Sequence, residues 1–212
     1  MQQTDITVAE KTFLAPLRKE CKRLFAGTSM PSHDHLHHER VWKNASLLLQ
    51  RLYYAGMLHD RRMPVKAIIA AFFHDTGLTI NNGPDHGKES RKLCHGFLQT
   101  TDIIQGDIDE ILDAVERHDD KIYAEQSDPA SLAAIISVAD DMDAFGEEGI
   151  GRYREIYSLR GITDDAMPEH VISNVLSRFR HLKSTYRMFP DLVDEQRRRV
   201  ETVTEYFTNI IK

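Results

Sequence analysis

The sequence has few of the features that mark an exported, disulfide-bonded or membrane-spanning protein. Only two of its 212 residues are cysteines, Cys21 and Cys94, and they form no C-x-x-C pair. Neither a thiolate zinc site nor a redox motif is therefore indicated. No apolar run approaches the roughly 18 residues of a membrane span, and residues 1–10 lack a basic start followed by an apolar stretch. We expect a soluble, cytoplasmic protein with no membrane partner.

An excess of positive charge is missing as well. Lys and Arg together number 27 and Asp and Glu 33, which gives a net charge of -6. This balance argues against nucleic acid as a partner but leaves room for a local cationic pocket that binds a small phosphate ester. Several cations late in the chain are spaced as on a solvated helix face, and we predict that they lie outside any site. They are Arg178, Arg180, Lys183, Arg187, Arg197, Arg198 and Arg199.

Alternating strand patterns are not found either, and the apolar periodicity is helical almost throughout, so we predict an all-α fold. A first helix, capped by Asp5 or Thr7, is expected to end at Gly27, and another to run over residues 64–75. An irregular loop should follow over 76–85, which is rich in Gly and Asn. With no repeat or obvious linker, one compact helical domain is expected. The other helices are predicted near residues 36–58, 86–100, 107–118, 129–140, 141–159, 164–188 and 191–211.

The most informative feature that is present is the dipeptide His74-Asp75, which ends the apolar run 67–73. Neighbouring side chains point about 100° apart on a helix, close enough for an imidazole and a carboxylate to bend toward one ion. Such ligands suit Mn, Fe, Zn, Ni or Co, and a carboxylate-rich set could use Mg. A bound divalent cation provides what phosphate-ester hydrolysis needs at neutral pH. Further candidate ligands stand on both sides of the dipeptide: His37, His86, His118 and Asp140.

Three segments resemble the HD superfamily of metal-dependent phosphohydrolases, whose pattern is a histidine, then His-Asp, then a distant aspartate. HHERV at residues 37–41 is similar to the family's H-x-x-R-V segment, and AFFHDTG at 71–77 to its apolar-HD-x-G segment. ADDMDAFG at 139–146 is similar to A-D-x-x-D-A-x-G. GIGR at 149–152 resembles a G-I-x-R continuation found in one bacterial branch. The resemblance covers residues from about 30 to 155.

This resemblance implies a single HD-type helical domain over 1–212, with a motif-bearing core at about 30–155 and the C-terminal helices of 164–211 packed on it. It implies that one divalent metal ion is held by His37, His74, Asp75 and Asp140. Some members hold a second ion through two further histidines, and His86 and His118 stand where that variant would place them. In the alternative, His86 caps or lines the loop and His118 meets its helix dipole. One or two ions per chain are therefore expected.

Two assignments of the ligand histidines stay open. The family's register selects His37 from a group of close histidines, with His33 or His38 as alternates, because no common metal site takes four ligands from so short a segment. A second His-Asp pair, His118-Asp119, follows polar residues and not an apolar run. We therefore do not exchange it for His74-Asp75.

The neighbouring charged residues have two interpretations each. Asp143 either holds the second nitrogen of a ligand histidine or forms an N-cap. Arg40 lies one helical turn beyond His37, where it either contacts phosphate or pairs with a buried carboxylate. Lys88 and Arg152 either position the phosphate and stabilise the leaving group, or lie on the surface.

The resemblance implies a hydrolase that acts on phosphate ester or phosphoanhydride bonds by a metal-activated water, with Asp75 as the shared ligand if two ions bind. The G-I-x-R branch implies a small phosphorylated substrate, namely a nucleotide. One alternative is a two-metal phosphodiesterase acting on a cyclic nucleotide or other diester. Another is a non-catalytic nucleotide-binding regulatory module, against which the complete set of ligand types argues. A homodimer stays open, because Trp42 and Tyr53-Tyr54 suit either a core or an interface.

Overall fold

The computed structural model describes residues 2–28, 30, 34–81, 83 and 85–210. Within these ranges all regular secondary structure is helical, so the predicted all-α fold is confirmed. A short 3₁₀-helix, Thr76–Thr79, lies within the segment predicted to be irregular. The α-helices are α1 (Gln2–Phe25), α2 (His35–Tyr54), α3 (Met63–Phe73), α4 (His86–Leu98), α5 (Gln105–Glu116), α6 (Lys121–Gln126), α7 (Leu132–Asp143), α8 (Gly146–Leu159), α9 (Met167–Thr185) and α10 (Pro190–Ile210).

Helix α3 is the centre of the bundle. It is apolar on every side, with Ile68, Ile69 and Phe72 fully or almost fully buried, and such a helix is stable only when other helices enclose it. It packs against α1, α2, α5 and α7. Because α3 ends at Phe73, the two residues that follow it are placed inside the protein and not at its surface.

The C-terminal helices pack on this core. Helix α9 contacts α7, while α10 contacts both α8 and α9. Their apolar positions are buried, among them Val171, Val175 and Leu182 on α9 and Phe207 on α10. Trp42 and Tyr53 are also core residues, whereas Tyr54 is 78% exposed. Among the described helices, none combines the length and the apolarity needed to cross a lipid bilayer.

Some helix ends differ from the predicted ones. Helix α7 does not end at residue 140 but continues to Asp143, and the chain turns at Gly146, whose φ of +77° suits glycine. Helix α1 begins at Gln2, ahead of both predicted caps, and the short helix α6 was not predicted. The first of these differences matters for function, since it places Asp140, Asp141 and Asp143 on one helix.

Two glycines allow helix ends to approach each other closely. A Cβ atom on Gly87, in the first turn of α4, would overlap the carbonyl oxygen of Glu116 at the end of α5. A Cβ on Gly149 would overlap the carbonyl oxygen of Ala144 in the same way. The first contact brings His86, next to Gly87, close to the residues that follow α5.

We predict that Gly87→Ala lowers the free energy of unfolding by about 1–3 kcal/mol, because the added methyl group forces two helix ends apart. Gly96→Ala is the matched control, since Gly96 lies on the same helix with no atom close to its missing Cβ. That change should be neutral or stabilise the protein by up to about 1 kcal/mol. Urea denaturation of the metal-free proteins measures both. Equal stability of the two variants would show that the α4–α5 contact is not tight.

Candidate metal centre

Four side chains from three helical segments converge inside the protein. His37 lies on α2, Asp140 on α7, and His74 and Asp75 directly follow α3, with His74 at its C-cap and Asp75 already outside helical geometry. All four are buried, the most exposed at 5%. One ligand atom from each lies within 4.8 Å of the others. We call these four residues the first cluster.

The distances within the first cluster are those of groups arranged around one point. The Nε2 atoms of His37 and His74 are 3.2 Å apart. Oδ2 of Asp75 lies 3.4 Å from each of these nitrogens. Oδ1 of Asp140 lies 3.8 Å from each of them. Two nitrogens and two carboxylate oxygens therefore face a common centre.

A second cluster is formed by Asp75, His86 and His118. Oδ1 of Asp75 lies 2.9 Å from Nε2 of His118 and 3.3 Å from Nε2 of His86, and the two nitrogens are 3.2 Å apart. His86 begins α4 and His118 follows α5, so the close approach at Gly87 brings them together. Asp75 belongs to both clusters, with one oxygen in each.

The second ring nitrogens of these histidines are all next to hydrogen-bond acceptors. Nδ1 of His37 lies 2.8 Å from Oδ2 of Asp143. Nδ1 atoms of His74, His86 and His118 each lie 2.9 Å from a backbone carbonyl oxygen. A neutral imidazole that donates from Nδ1 carries a lone pair on Nε2, and in both clusters the Nε2 atoms face each other. This arrangement of lone pairs and carboxylates fits a divalent cation.

The electrostatics of the buried carboxylates lead to the same conclusion. Burial opposes a charge on His74, but the carboxylates of Asp75 and Asp140 raise its pKa to about 10. Burial likewise opposes a charge on His86, while Asp75 raises its pKa to about 9. Burial would also raise the pKa of Asp75, yet the surrounding imidazoles hold it well below its usual range. The buried carboxylates thus favour positive charge within the clusters.

Asp143 connects the first cluster to two arginines. Its Oδ1 accepts a 2.6 Å hydrogen bond from Nε of Arg40, and its Oδ2 accepts one of 3.1 Å from Arg152. Asp143 also holds Nδ1 of His37, so the N-cap alternative does not apply. Of the two roles considered for Arg40, a phosphate contact or the partner of a buried carboxylate, the structure shows the second. Arg152 is buried too, with Nη2 at 3.4 Å from Oδ1 of Asp140.

One prediction about the late cations was wrong. Arg178 does not lie on a solvated face: its Nη1 donates to Asp140 and to Asp141, each at 2.8 Å, and its side chain is only 19% exposed. Its position in the sequence contained a signal, because residue 178 falls on the same helical stripe as the buried Val171, Val175 and Leu182. Three neighbouring cations are exposed as predicted: Arg180, Lys183 and Arg187.

At Asp75, His86 and Asp140 the two clusters border a cavity that is partly open to solvent. Asp119 lines it, half exposed, with Oδ2 at 3.5 Å from Nε2 of His86. The second His-Asp pair thus contributes to the site without replacing the first. The cavity is lined by Asp75, Leu78, His86, Asp119, Asp140, Ala144, Arg152, Tyr153, Ile156, Tyr157, Arg160, Asn174 and Arg178.

Two other candidates, Lys88 and His38, are not brought to the clusters. Lys88 is exposed on α4 and pairs with Asp85 at 2.8 Å, so the structure does not bring it to the clusters. His38 is buried, but its Nδ1 faces the carbonyl oxygen of Ala71, 3.2 Å away, and neither cluster includes it. His33 lies outside the described residues.

Comparison with known protein families gives a match to one family model. The model of the HD domain matches residues 36–144, which contain α2 to α7 and all the side chains of both clusters. Comparison with curated proteins and with solved structures gives no match. The matched segment makes up more than half of the chain. This chain therefore belongs to the HD domain family, whose members are in general metal-dependent hydrolases.

Proposed function

We propose that this protein is a phosphohydrolase that cleaves a phosphate ester of a nucleotide with a metal-activated water. One observation carries the proposal: the two His/Asp clusters share Asp75, and their residues Asp75, His86 and Asp140 line a cavity that arginines line as well. A phosphate that enters this cavity meets metal ligands and, next to the ligand Asp140, the guanidinium groups of Arg152 and Arg178. This combination neutralises the charge of a phosphoryl group.

Each cluster would hold one divalent ion. His37, His74, Asp75 and Asp140 supply the donors of the first site, and Asp75, His86 and His118 those of the second. Imidazole and carboxylate donors suit Mn, Fe, Co, Ni or Zn, and Mg is compatible with the carboxylates. When bound, such ions supply a Lewis acid for phosphoryl oxygens and lower the pKa of a coordinated water.

The protein's own residues hold this site in place. Asp143 fixes the ring of His37 through Nδ1, and burial of Asp143 is balanced by its bonds to Arg40 and Arg152. Arg152 also lines the cavity, where its positive charge lies next to Asp140. A phosphoryl group there would be met by a guanidinium group whose position is fixed by two carboxylates.

The cavity wall supports a nucleotide as the substrate. Arg152 and Ile156 on α8 and Arg160 at its C-cap follow one another at intervals of four residues, so this part of the cavity lining extends for about 12 Å. Tyr153 and Tyr157 lie on the same wall, and Tyr157 is only half-buried. A phosphate at the clusters would place the base of a nucleotide against these aromatic rings.

A second candidate is a phosphodiesterase that acts on a cyclic nucleotide or other diester. The observation in its favour is the second cluster, because two ions can stabilise both the attacking and the leaving oxygen. A non-catalytic regulatory module agrees less well with the structure, since burying so many imidazoles and carboxylates without a cation is costly.

The main test of the function uses Asp75→Asn, which preserves shape but removes the shared charge. Wild-type protein loaded with Mn²⁺, Co²⁺, Ni²⁺ or Mg²⁺ should hydrolyse members of a panel of nucleotides and other phosphate esters. The variant should lose at least about 10³-fold in kcat/KM, as expected for a central catalytic group. Lys92→Ala, an exposed residue paired with Glu89 on α4, is the control and should keep full activity. Released phosphate measures both.

Two results would contradict this proposal. If wild-type protein hydrolyses no substrate of the panel with any of the metals, the result would support the non-catalytic regulatory module. Activity that survives both metal removal by chelation and Asp75→Asn would exclude a metal-dependent reaction.

Removal of the second metal site distinguishes the two enzymatic candidates. We expect two equivalents per chain in wild-type protein and one in His118→Ala, measured by elemental analysis after dialysis. Hydrolysis of bis(p-nitrophenyl) phosphate should fall more in this variant than hydrolysis of a monoester, if the second ion serves diesters. His95→Ala, an exposed histidine of α4, should leave the metal count unchanged. A single equivalent in wild-type protein would argue against the diesterase.

The aromatic wall predicts a preference for substrates that carry a base. Wild-type protein should have a lower KM for a nucleoside monophosphate than for ribose 5-phosphate, which lacks the ring. Tyr157→Ala should raise the KM for the nucleotide by about 10-fold, because stacking on an aromatic side chain is lost. The KM for ribose 5-phosphate should change little. If the variant raises the KM for both substrates by the same factor, Tyr157 does not recognise a base.

A further inference from the structure

Arg178 enters the cavity from outside the matched family segment. It lies on α9, whereas the HD model ends at residue 144. Its guanidinium group is nevertheless adjacent to the first cluster, since Nη1 donates a 2.8 Å hydrogen bond to Oδ2 of Asp140. The other oxygen of Asp140 faces the two Nε2 atoms of that cluster. Arg178 is therefore separated from the proposed metal position by one carboxylate.

Three hydrogen bonds fix the orientation of this guanidinium group. Nη1 also donates to Oδ1 of Asp141 at 2.8 Å, and Nε donates to Oδ1 of Asn174 at 3.1 Å. No protein partner of Nη2 is found in the part of the chain that the structure describes. Because Arg178 lines the cavity, Nη2 is the donor that remains for a ligand.

Asp141 is unusual among the partners of Arg178, because it is fully buried and held by two other groups. Nδ1 of His181 lies 2.5 Å from its Oδ2, and Nζ of Lys121 lies 3.1 Å from its Oδ1. This support comes from α6 and α9, which both pack against α7. Asp141 is thus a fixed anchor for Arg178 and is not one of the cluster residues.

We propose that Arg178 is a substrate-binding residue whose Nη2 donates to a phosphoryl oxygen, with Asp141 and Asn174 holding the guanidinium group in position. The proposal rests on the proposed function, since it names a contact with the phosphate in the same cavity. A guanidinium group is suited to this role because its donors are fixed in one plane, so that the hydrogen bonds of Nη1 and Nε also fix the direction of Nη2. Its charge also offsets that of Asp140 next to the phosphate.

A purely structural role for Arg178 predicts a different result. If the side chain only orients Asp140, its removal should weaken metal binding and leave the affinity for phosphate of the metal-loaded protein unchanged. If it contacts the phosphate, the number of bound metal ions should stay the same while the affinity for phosphate falls. Metal content and phosphate affinity therefore separate the two roles.

The experiment compares wild-type protein with Arg178→Lys and Arg178→Met, all loaded with Mn²⁺. Calorimetry with inorganic phosphate as the probe should show an affinity lower by about 10- to 100-fold in both variants, because a charged hydrogen bond is lost. The manganese equivalents should equal those of wild-type protein. With a nucleotide substrate, KM should rise more than kcat falls. Arg180→Met, exposed on the same helix, is the matched control and should behave as wild type.

Asn174→Ala provides a second test that keeps the guanidinium group and removes the acceptor of its Nε. We expect phosphate affinity to fall several-fold, with manganese binding retained. This variant also decides the case if neither substitution at Arg178 yields folded protein. Unchanged phosphate affinity in Asn174→Ala, or in either Arg178 variant, would overturn the proposal.

This experiment tests Arg178 separately from the proposed hydrolysis, because phosphate binding requires no turnover. If wild-type protein hydrolyses no substrate but the variants bind phosphate more weakly than wild type, the role of Arg178 is supported. The same result would count against the phosphohydrolase. Hydrolysis by wild-type protein together with full phosphate affinity in Arg178→Lys would reject Arg178 alone.

Discussion

The carboxylate of Asp75 is the interaction on which the rest of the site depends. It is buried at the end of the most apolar helix of the protein, where an isolated negative charge would be strongly destabilised. Four imidazoles surround it, those of His37, His74, His86 and His118. Because one oxygen faces each cluster, Asp75 determines both the spacing of the two clusters and their demand for positive charge.

The surrounding scaffold keeps this arrangement in place by different means for the two clusters. The first is braced by charge, since Asp143 holds His37 and is itself held by two arginines. The second depends on a close backbone contact, because only glycine at position 87 lets α4 approach the end of α5. Replacing Asp143 would alter the electrostatics of the first cluster, whereas replacing Gly87 would alter the distance between His86 and His118 in the second.

The residues of the site come from two different parts of the chain. All cluster residues lie within the segment matched by the HD model. Other residues that line the cavity, among them Tyr157 and Arg178, come from α8 and α9 beyond that segment. The side chains that could hold metal ions thus lie in the family segment, while the C-terminal helices supply further side chains that line the cavity.

The sequence by itself determined the helical class through apolar periodicity, and it determined the side chains that converge through the resemblance of short segments to the HD superfamily. Both depend on local information. The structure brings all six of the predicted ligand residues into the two clusters. What only the tertiary structure decided are contacts between helices that are distant in sequence, such as Asp143 with Arg40 and Asp140 with Arg178. The exposed position of Lys88 and the buried one of Arg178 were decided in the same way. The physical reason is that a charged residue on an amphipathic helix suits water and a buried carboxylate equally well, and only the packing of the helices determines which of the two it meets.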